Sequence, residues 1–463
     1  MYGWVLLSVF EAHCCQCIAS RYYINSDLPG ANWGILCNEG SNDAERAWMR
    51  GGARRQVWAF FANEAVLVVA AVAALASCVA VPPDAVYASY VDWNTLALLF
   101  CLMTVVAGFR ELGVLDAAGA WLVARAKTQR ALVAALAGLV FFASMLVTND
   151  VALITFVPLA LTVLRRAHME HRLCLVATLM TVAANLGSMF TPVGNPQNLY
   201  LFTALGMSVG EFLQLMAPYT LASGMLLAAV VAVAFRAQPV MPEDGFETTS
   251  ACTKRDASAL REPNSESATL SDYAAGHPAL GADRAQSRTT KVRFAVYLAL
   301  FMACLAAVAG ALDVRLVLAL VLVAAAATDA RLLARVDYGL LATFVALFVF
   351  VGNMSRLPLL HDALVTAVNA NALLASVAAS QVISNVPAAV LLSGFTDQWP
   401  ALIVGTNLGG LGTLIASMAS LITFKAVSLG RPGVRIRYLK IFTLVNVAFL
   451  TALLLLCLTL GGV

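Results

Sequence analysis

The chain has 463 residues, of which 61% are hydrophobic and only 12% charged, and its formal net charge is +3. Soluble domains average about 45–50% apolar and about 25% charged residues, so this composition excludes a soluble globular protein and indicates a polytopic membrane protein. The basic residues stand in short clusters between apolar runs, and the small net charge excludes a nucleic-acid partner. At about 20 residues a span, the apolar runs supply about ten crossings or half-crossings of a bilayer.

The N-terminal residues differ from the rest of the chain. A signal peptide requires a basic region before its apolar core, and the short apolar run that begins at Trp4 has none. Met49 begins an arginine-rich stretch that leads into a long apolar run, which is typical of a membrane protein with a cytoplasmic N-terminus. We therefore expect residues 1–56 to be an N-terminal extension, with translation starting at Met49 and residues 1–48 not translated.

Residues 57–236 are predicted to form a first repeat. It begins with two spans, the second of which runs from Trp93 as one long helix to the basic cluster at Arg125. Two short apolar arms follow, joined at residues 148–150, with basic residues at both outer ends. Because Lys and Arg concentrate on the cytoplasmic side, this pair is predicted to be a re-entrant hairpin that enters from the cytoplasm. A segment broken at 185–199 and a last span complete the repeat.

A linker and a second repeat follow. Residues 237–292 are rich in small, polar and charged residues without sustained periodicity, and they are predicted to be a disordered cytoplasmic linker. Residues 293–463 repeat the plan, with arms joined at Ser384 and Asn385 and a segment broken at 407–421. The flanks of these arms contain no Lys or Arg, so the second hairpin is predicted to enter from outside. The predicted fold is an all-α polytopic membrane protein with two inverted-topology repeats, each containing a re-entrant helical hairpin and a broken transmembrane helix.

The two breaks share a sequence pattern. Residues 185–199 read NLGSMFTPVGNPQNL and residues 407–421 read NLGGLGTLIASMASL, with Asn, Leu, Gly, Thr and the closing Leu in register. Such runs leave backbone N–H and C=O groups unpaired, which a bilayer tolerates only where protein, water or a bound ion satisfies them. A matched pair of broken helices in two halves of a chain indicates the binding site of a secondary transporter.

The hairpin tips share a second pattern, in which a serine, Ser144 or Ser380, stands four residues before a hydroxyl residue that is followed by asparagine. That spacing puts two hydroxyls, an amide and free backbone groups at each tip. Oxygen-rich clusters suit Na⁺, whereas amides and positive helix ends suit an anion. Alternatively, the same residues cap the arms and hydrogen-bond across helices. One ion is predicted between the first tip and the first break, and another between the second tip and the second break.

Asp150 is exceptional because a carboxylate at helix-centre depth costs about 2.5–3.5 kcal/mol on insertion scales. It either binds a coupling cation or carries a proton, or it caps the second arm of the hairpin, where the helix dipole favours negative charge. The two roles are compatible. Arg110 and Arg356, deep in corresponding spans of the two halves, are expected to make structural ion pairs.

Three stretches, TNDVALITFVPL from Thr148, NLGSMFTPVGNPQNLYL from Asn185 and QVISNVPAAVLL from Gln381, resemble the ion-transporter superfamily. That group includes divalent-anion/sodium symporters, citrate transporters, arsenite permeases and a sodium/proton antiporter branch. The chain is most similar to the bacterial inner-membrane anion-permease-like branch. The resemblance implies a scaffold and a transport domain, a homodimer, and an elevator mechanism.

The resemblance also implies site residues, carried over by position. The candidate Na⁺ ligands are Ser144, Thr148, Asn149, Asp150, Gly194, Ser380, Ser384, Asn385 and Ala416. The candidate substrate-binding residues, taken from the tips and the broken segments, are Thr148, Asn149, Asn195, Asn198, Ser384, Asn385, Thr413 and Ser417. Asp150 and Val386 stand where the symporter pattern has threonine, and an ionised Asp150 repels a dianion. A monoanion, a neutral oxyacid and cation exchange therefore stay open.

The sequence thus predicts an ion-coupled secondary active transporter that moves a small anion across the cytoplasmic membrane. Na⁺ or H⁺ is the expected coupling ion, no other cofactor is expected, and the lipid bilayer is the surrounding partner. The alternative is a cation/proton antiporter or an arsenite-type exporter of the same superfamily. An enzyme is disfavoured because no His, Cys or acidic constellation stands at one membrane face. A channel is disfavoured because two hairpins of opposite entry suit alternating access.

Overall fold

The computed structural model describes residues 64–239, 284–428 and 432–459. The extension predicted at residues 1–56 lies outside the described residues, as does most of the linker predicted at 237–292. The linker prediction is wrong at its C-terminal end, since a helix begins at Arg284. Arg, Ala and Gln are strong helix formers, and here they extend the following apolar helix backwards.

The chain divides into two compact units. One comprises Met1–Ala65 with Leu333–Arg335, and nearly all of it lies outside the described residues. The other comprises Val66–Leu332 with Val336–Val463. Every contact described below lies within this second unit. The division into two repeats and a linker stays a prediction.

The described residues contain no β-strand, only an isolated bridge between Thr128 and Pro239, so the all-α class is confirmed. The helices before the linker are α1 (Ala65–Ala80), α2 (Tyr87–Tyr90), α3 (Trp93–Glu111), α4 (Val114–Val123), α5 (Gln129–Ala143), α6 (Asn149–Arg166), α7 (Leu173–Ser188), α8 (Pro196–Leu205) and α9 (Val209–Ala234). The helices after it are α10 (Arg284–Val308), α11 (Val314–Thr328), α12 (Tyr338–Ser355), α13 (Pro358–Ala370), α14 (Ala372–Ile383), α15 (Asn385–Ser393), α16 (Trp399–Leu408), α17 (Met418–Ser428) and α18 (Pro432–Thr459).

Several of these helices have the length and composition of membrane spans. Within the described part of the chain, α3, α9, α12 and the apolar parts of α10 and α18 are long and apolar enough to cross a bilayer. Helices α13 and α14 pass the same test as a pair but bend by 110° at their junction. The prediction of a polytopic membrane protein is therefore confirmed.

The long span predicted from Trp93 to Arg125 is interrupted. Helix α3 ends at Glu111 and α4 begins three residues later at Val114, because Gly113 takes the left-handed conformation with φ of 65°. Glycine enters this region without the steric cost of a Cβ, so it ends helices readily. The single-helix prediction is wrong here because the glycine stands inside an apolar run that otherwise continues.

Aspartates start the two long helices in the same way. Asp92 accepts hydrogen bonds from the backbone N–H groups of Asn94 and Thr95, each at 3.1 Å. Asp337 accepts one from the N–H of Leu340, also at 3.1 Å. Side-chain oxygens at this position satisfy N–H groups that have no partner within the helix. These caps explain why an aspartate precedes the span in each half of the sequence.

A tyrosine from the opposite half covers a glycine on each long helix. A Cβ added to Gly108 would lie 2.9 Å from the ring of Tyr297, and one added to Gly352 would lie 2.4 Å from the ring of Tyr90. Both distances are too short for a real Cβ, so only glycine permits this packing. The long helix of each half is therefore fitted to the opposite half.

Polar contacts strengthen one of these crossings. Asn353 donates hydrogen bonds from Nδ2 to Ser77 Oγ and Tyr87 Oη, both at 2.9 Å. Nearby, Arg356 pairs with Asp84 at 2.8 Å, which confirms the structural ion pair expected for Arg356. The guanidinium holds the pKa of Asp84, in the connector between α1 and α2, below its ordinary value.

Helices α7 and α16 are deeply buried. Nearly all side chains of α7 are buried, and so is every side chain from Ala401 to Leu408 in α16. Helix α7 packs against α5, α6, α9, α17 and α18, and α16 packs against α8, α14 and α15. Each of these helices leads directly into one of the sequence breaks, so both breaks lie within packed protein.

Candidate functional site

Each hairpin tip is bound to the break of its own half. The backbone N–H of Asn149 donates to the carbonyl of Gly194 at 3.3 Å, and that of Asn385 donates to the carbonyl of Ala416 at 3.0 Å. Both asparagines are buried. Gly194 and Ala416 are the residues that the sequence pairs with these tips, so the structure brings together the predicted residues of each half.

The asparagines also shape the tips themselves. Asn149 Oδ1 accepts from the N–H of Asp150 at 2.9 Å, and Asn385 Oδ1 accepts from the N–H of Val386 at 3.0 Å. Ser384 lies at φ 75° and ψ 155°, a conformation that residues with a side chain rarely adopt. Such strain persists only where the surroundings impose it, and it concentrates at functional sites.

Glycines allow each break to approach its hairpin closely. A Cβ on Gly187 would lie 2.6 Å from Ser144 Oγ, and a Cβ on Gly409 would lie 2.6 Å from Ser380 Oγ. A Cβ on Gly194 would lie 2.2 Å from the carbonyl oxygen of Ser188. The serines predicted from the tip pattern therefore lie against the glycines at the start of each break.

A threonine repeats the same contact in both halves. Thr191 Oγ1 donates to the carbonyl of Met145 at 2.5 Å, and Thr413 Oγ1 donates to the carbonyl of Gln381 at 3.0 Å. Each acceptor directly follows the serine of its hairpin. The hydroxyl of Thr413 is thus engaged within the protein, and the predicted contact with substrate would have to use another of its atoms.

The tip hydroxyls have local partners. Ser144 Oγ donates to the carbonyl of Phe141 at 3.0 Å, and Ser380 Oγ donates to that of Ser376 at 2.7 Å. Ser384 Oγ reaches the carbonyl of Ala416 at 3.4 Å. Thr148 is half-buried and precedes α6 without a side-chain capping bond. Because a donating hydroxyl keeps its lone pairs, these oxygens retain acceptor capacity for a cation.

Asn185 joins the two halves at the centre of the site. Its Oδ1 accepts from Asn149 Nδ2 and from Ser417 Oγ, both at 3.0 Å. Its Nδ2 donates to the carbonyl of Gly410 at 3.2 Å. One buried amide therefore connects the first tip with two positions of the second break.

Asn407 aligns with Asn185 in the repeated pattern, and its side chain reaches from the second break to the first. Its Nδ2 donates to Asn198 Oδ1 at 2.7 Å, and Asn198 Nδ2 in turn faces carbonyls of the first break, including that of Ser188 at 3.3 Å. Asn195 Nδ2 donates to Ser188 Oγ at 2.7 Å. The predicted residues Asn195 and Asn198 are thus brought together around Ser188.

Sequence reasoning missed Gln381. Its Nε2 donates to the carbonyls of Gly409 and Leu411, each at 2.9 Å, and its Oε1 accepts from the N–H of Thr413 at 2.8 Å. The side chain therefore satisfies three backbone groups that the break leaves free. Met145 precedes the first tip at the corresponding position, so the repeat itself gives no signal for this role.

Asp150 lies in the first turn of α6, where the helix dipole favours its negative charge. Its Oδ1 is buried and has no hydrogen-bond partner among the described residues, so this oxygen makes no capping bond. A buried carboxylate oxygen without a hydrogen-bond partner is a position that a cation or a proton would satisfy.

With this geometry established, comparison with known proteins gives the family. The sequence model of the citrate transporter family matches residues 57–397. The chain belongs to the citrate transporter family. This confirms the resemblance to the ion-transporter superfamily, and the matched region includes both hairpin tips and the first break.

Two of the relatives of this family member that follow are named as transporters. An uncharacterized transporter of Methanocaldococcus jannaschii is 30% identical over 365 residues, which cover 78% of this chain and 88% of that protein. Inner membrane protein YbiR of Escherichia coli is 30% identical over 342 residues, covering 72% and 80% of the two chains. A putative transporter arsB of Dictyostelium discoideum is 26% identical over 124 residues, covering 27% and 22%. The prediction of a transporter and not an enzyme is confirmed by these comparisons.

For this family member, Asn185→Ala is expected to lower the free energy of unfolding by about 1–3 kcal/mol for each buried partner left unpaired. Asn149, Ser417 and Gly410 would all lose a hydrogen-bond partner. Thermal unfolding of the purified protein measures the effect. The matched control is Asn446→Ala in α18, since among the described residues buried Asn446 donates only to the carbonyl of Phe442 within its own helix. An equal loss in both variants would contradict the bridging role.

Proposed function

We propose that this family member is an ion-coupled secondary active transporter that moves a small anion across the cytoplasmic membrane by an elevator-type mechanism. Na⁺ or H⁺ is the coupling ion, the N-terminus lies in the cytoplasm, and the working protein is a homodimer. The observation that carries the proposal is the pair of matching contacts in which Asn149 and Asn385 bind the breaks of their own halves.

An inverted repeat accounts for this pairing. Each half contains a helical hairpin followed by a helix, a break and a second helix. The serine–glycine approach, the threonine–carbonyl bond and the asparagine at the tip recur in both halves. Opposite entry of the two hairpins, as the Lys and Arg distribution predicts, lets the same contacts lie on the two sides of one central site.

The oxygens around each tip fit a dehydrated cation. Near the first tip are Ser144 Oγ, Asn149 Oδ1 and the carbonyl of Gly194, and near the second are Ser384 Oγ and the carbonyl of Ala416. Hydroxyl, amide and backbone oxygens are the ligands that hard cations prefer. Gly194 supports the fit, because any larger residue would push the break away from the tip.

Asp150 favours a substrate of low charge. When it is ionised, the buried carboxylate of Asp150 places negative charge at the first tip. A dianion or trianion would add repulsion in a medium of low dielectric, where it is weakly screened. A monoanion, whose charge the coupling cations balance, fits this tip better than the multiply charged solute in the family's name.

A second candidate is a cation/proton antiporter or an arsenite-type exporter. The unpartnered oxygen of Asp150 supports it, since a carboxylate that exchanges a proton for a cation suffices for antiport. The partial similarity to the arsB transporter agrees with the exporter form. Movement of a cation against protons, without any solute, would favour this candidate over anion transport.

The test is ion-driven uptake in proteoliposomes, read together with thermal stability of the purified protein. Na⁺ that binds the folded state at 100 times its Kd should stabilise it by about 2.7 kcal/mol, whereas K⁺ should not. Asn149→Ala should reduce this Na⁺ response and the uptake of a monoanion, whereas Asn446→Ala should change neither. The absence of both an Na⁺ response and uptake driven by a Na⁺ or proton gradient would contradict the proposal.

A further inference from the structure

The first turn of α8 carries buried amide groups without partners. Gln197 is 1% exposed, and neither Nε2 nor Oε1 has a hydrogen-bond partner among the described residues. Two residues earlier, Asn195 is 2% exposed and its Oδ1 is also unpartnered. Buried polar side chains in proteins nearly always have a partner, so this concentration in one turn requires an explanation.

A third amide belongs to the same group. Asn407 Oδ1 is buried and unpartnered, and Asn407 is hydrogen-bonded to Asn198, the residue after Gln197. The orientation of its amide is fixed, because Nδ2 faces two acceptors, Asn198 Oδ1 at 2.7 Å and the carbonyl of Ile403 at 2.8 Å. Its oxygen therefore stays free to accept a hydrogen bond from a ligand.

The amide group is formed by Asn195, Gln197 and Asn407, and Asn407 lies beside the second tip through its backbone carbonyl. The carbonyl oxygen of Asn407 and Nδ2 of Asn385 lie 3.3 and 3.1 Å from the position that a Cβ on Gly410 would occupy. Gly410 is also the residue whose carbonyl binds Asn185. A solute held at the second tip would thus lie beside Asn407, which Asn198 connects to the turn that carries Asn195 and Gln197.

The chemistry of the amide group selects its ligand. It offers three amide oxygens that accept hydrogen bonds and one NH₂ group that donates them. A bare cation would satisfy the oxygens but would be repelled by the NH₂ of Gln197. A carboxylate would satisfy the NH₂ but not the oxygens. A hydroxyl group accepts from the NH₂ of Gln197 and donates its single proton to one of the three oxygens, so of these ligands it alone uses both kinds of group.

We infer that the amide group of Asn195, Gln197 and Asn407 binds a hydroxyl group of the transported solute, so that the substrate is a small hydroxylated monocarboxylate. The inference rests on the proposed function, since the carboxylate of that solute is held by the tips and their cations. Its single negative charge follows from Asp150. Gln197 is then the specificity-determining residue, because it distinguishes a hydroxylated acid from the same acid without the hydroxyl.

The test uses two pairs of probes that differ by one hydroxyl, lactate with propionate and glycolate with acetate. Binding to the purified full-length protein is measured by calorimetry at fixed Na⁺ concentration and pH. The wild type should bind the hydroxylated member of a pair at least about tenfold more tightly, because sites built for a hydroxyl reject analogues that lack it. In Gln197→Leu the preference should fall to about one.

Thermal stability separates recognition from a structural role. Gln197→Leu replaces an unpaired buried amide by an apolar group of similar size, so the melting temperature of the ligand-free protein should stay the same or rise. Gln197→Met repeats the test with an unbranched side chain if the leucine variant does not fold. Asn446→Leu, at another buried amide, should leave the preference for lactate unchanged.

Three results would overturn the inference or part of it. Equal binding of both members of a pair by the wild type would overturn it, as would a Gln197→Leu protein that melts earlier and keeps the preference. Binding of none of the four probes would overturn the substrate class. If Na⁺ still stabilises the protein in that case, the proposed function survives; if Na⁺ has no effect either, the proposed function fails as well.

Discussion

Asp150→Asn is expected to reduce ion-driven uptake in proteoliposomes to the level of liposomes without protein. Asparagine has the shape of aspartate but can neither lose a proton nor contribute a negative charge, so coupling through this position ends. The fold should tolerate the change, because Oδ1 of Asp150 has no hydrogen-bond partner among the described residues and the N–H of Asp150 still binds Asn149. The loss should therefore appear in transport and not in the melting temperature.

The matched control makes the same chemical change at an exposed position. Asp362→Asn in α13 removes a carboxylate whose side chain is 83% exposed, and uptake should be unchanged. Uptake by Asp150→Asn at the wild-type rate would refute the coupling role. Solute counterflow without an ion gradient distinguishes loss of coupling from loss of transport. A variant that still exchanges solute, but whose uptake does not respond to the ion gradient, has lost coupling alone.

Gly187→Ala is expected to destabilise the protein by about 3 kcal/mol, the upper part of the range for overpacked cores. The new Cβ would lie 2.1 Å from the carbonyl oxygen of Phe141 and 2.6 Å from Ser144 Oγ. The first of these atoms is backbone and cannot rotate away, so α5 and α7 would have to separate. That separation would also pull the first break away from the hairpin tip.

Gly138→Ala is the control, because Gly138 lies on α5 in the same hairpin and a Cβ there meets nothing within 4 Å. Alanine in a helix interior is favoured over glycine by about 0.5–1 kcal/mol, so this variant should be slightly more stable than the wild type. Thermal unfolding and the monodisperse fraction in size-exclusion chromatography measure both variants. Similar melting temperatures for the two would show that α5 and α7 do not approach as closely as described.

The sequence predicted the local features of the site well. Runs of glycine, proline and asparagine located both breaks, and the serine-to-asparagine spacing located both tips. These signals are local because helix-ending residues act through their own backbone geometry. The sequence pattern also predicted that each tip lies against the break of its own half, and the family resemblance supplied Gly194 and Ala416 as the particular residues.

The sequence did not predict contacts that join distant residues through side-chain geometry. Asn185 and Asn407 stand in the aligned pattern, yet only the folded chain shows that each crosses to the break of the opposite half. Gln381 has Met145 as its counterpart, so the repeat obscured its role. The bend at Gly113 was missed because hydropathy continues through it, whereas the backbone conformation does not.

The crossed asparagines bear on how the protein is made in the cell. Ribosomes insert the first half before the second exists, so Asn185 enters the lipid without Ser417 and Gly410, the partners that later satisfy it. A polar amide left unsatisfied in hydrocarbon is costly. The early half therefore completes the hydrogen bonding of this amide only once the late half arrives.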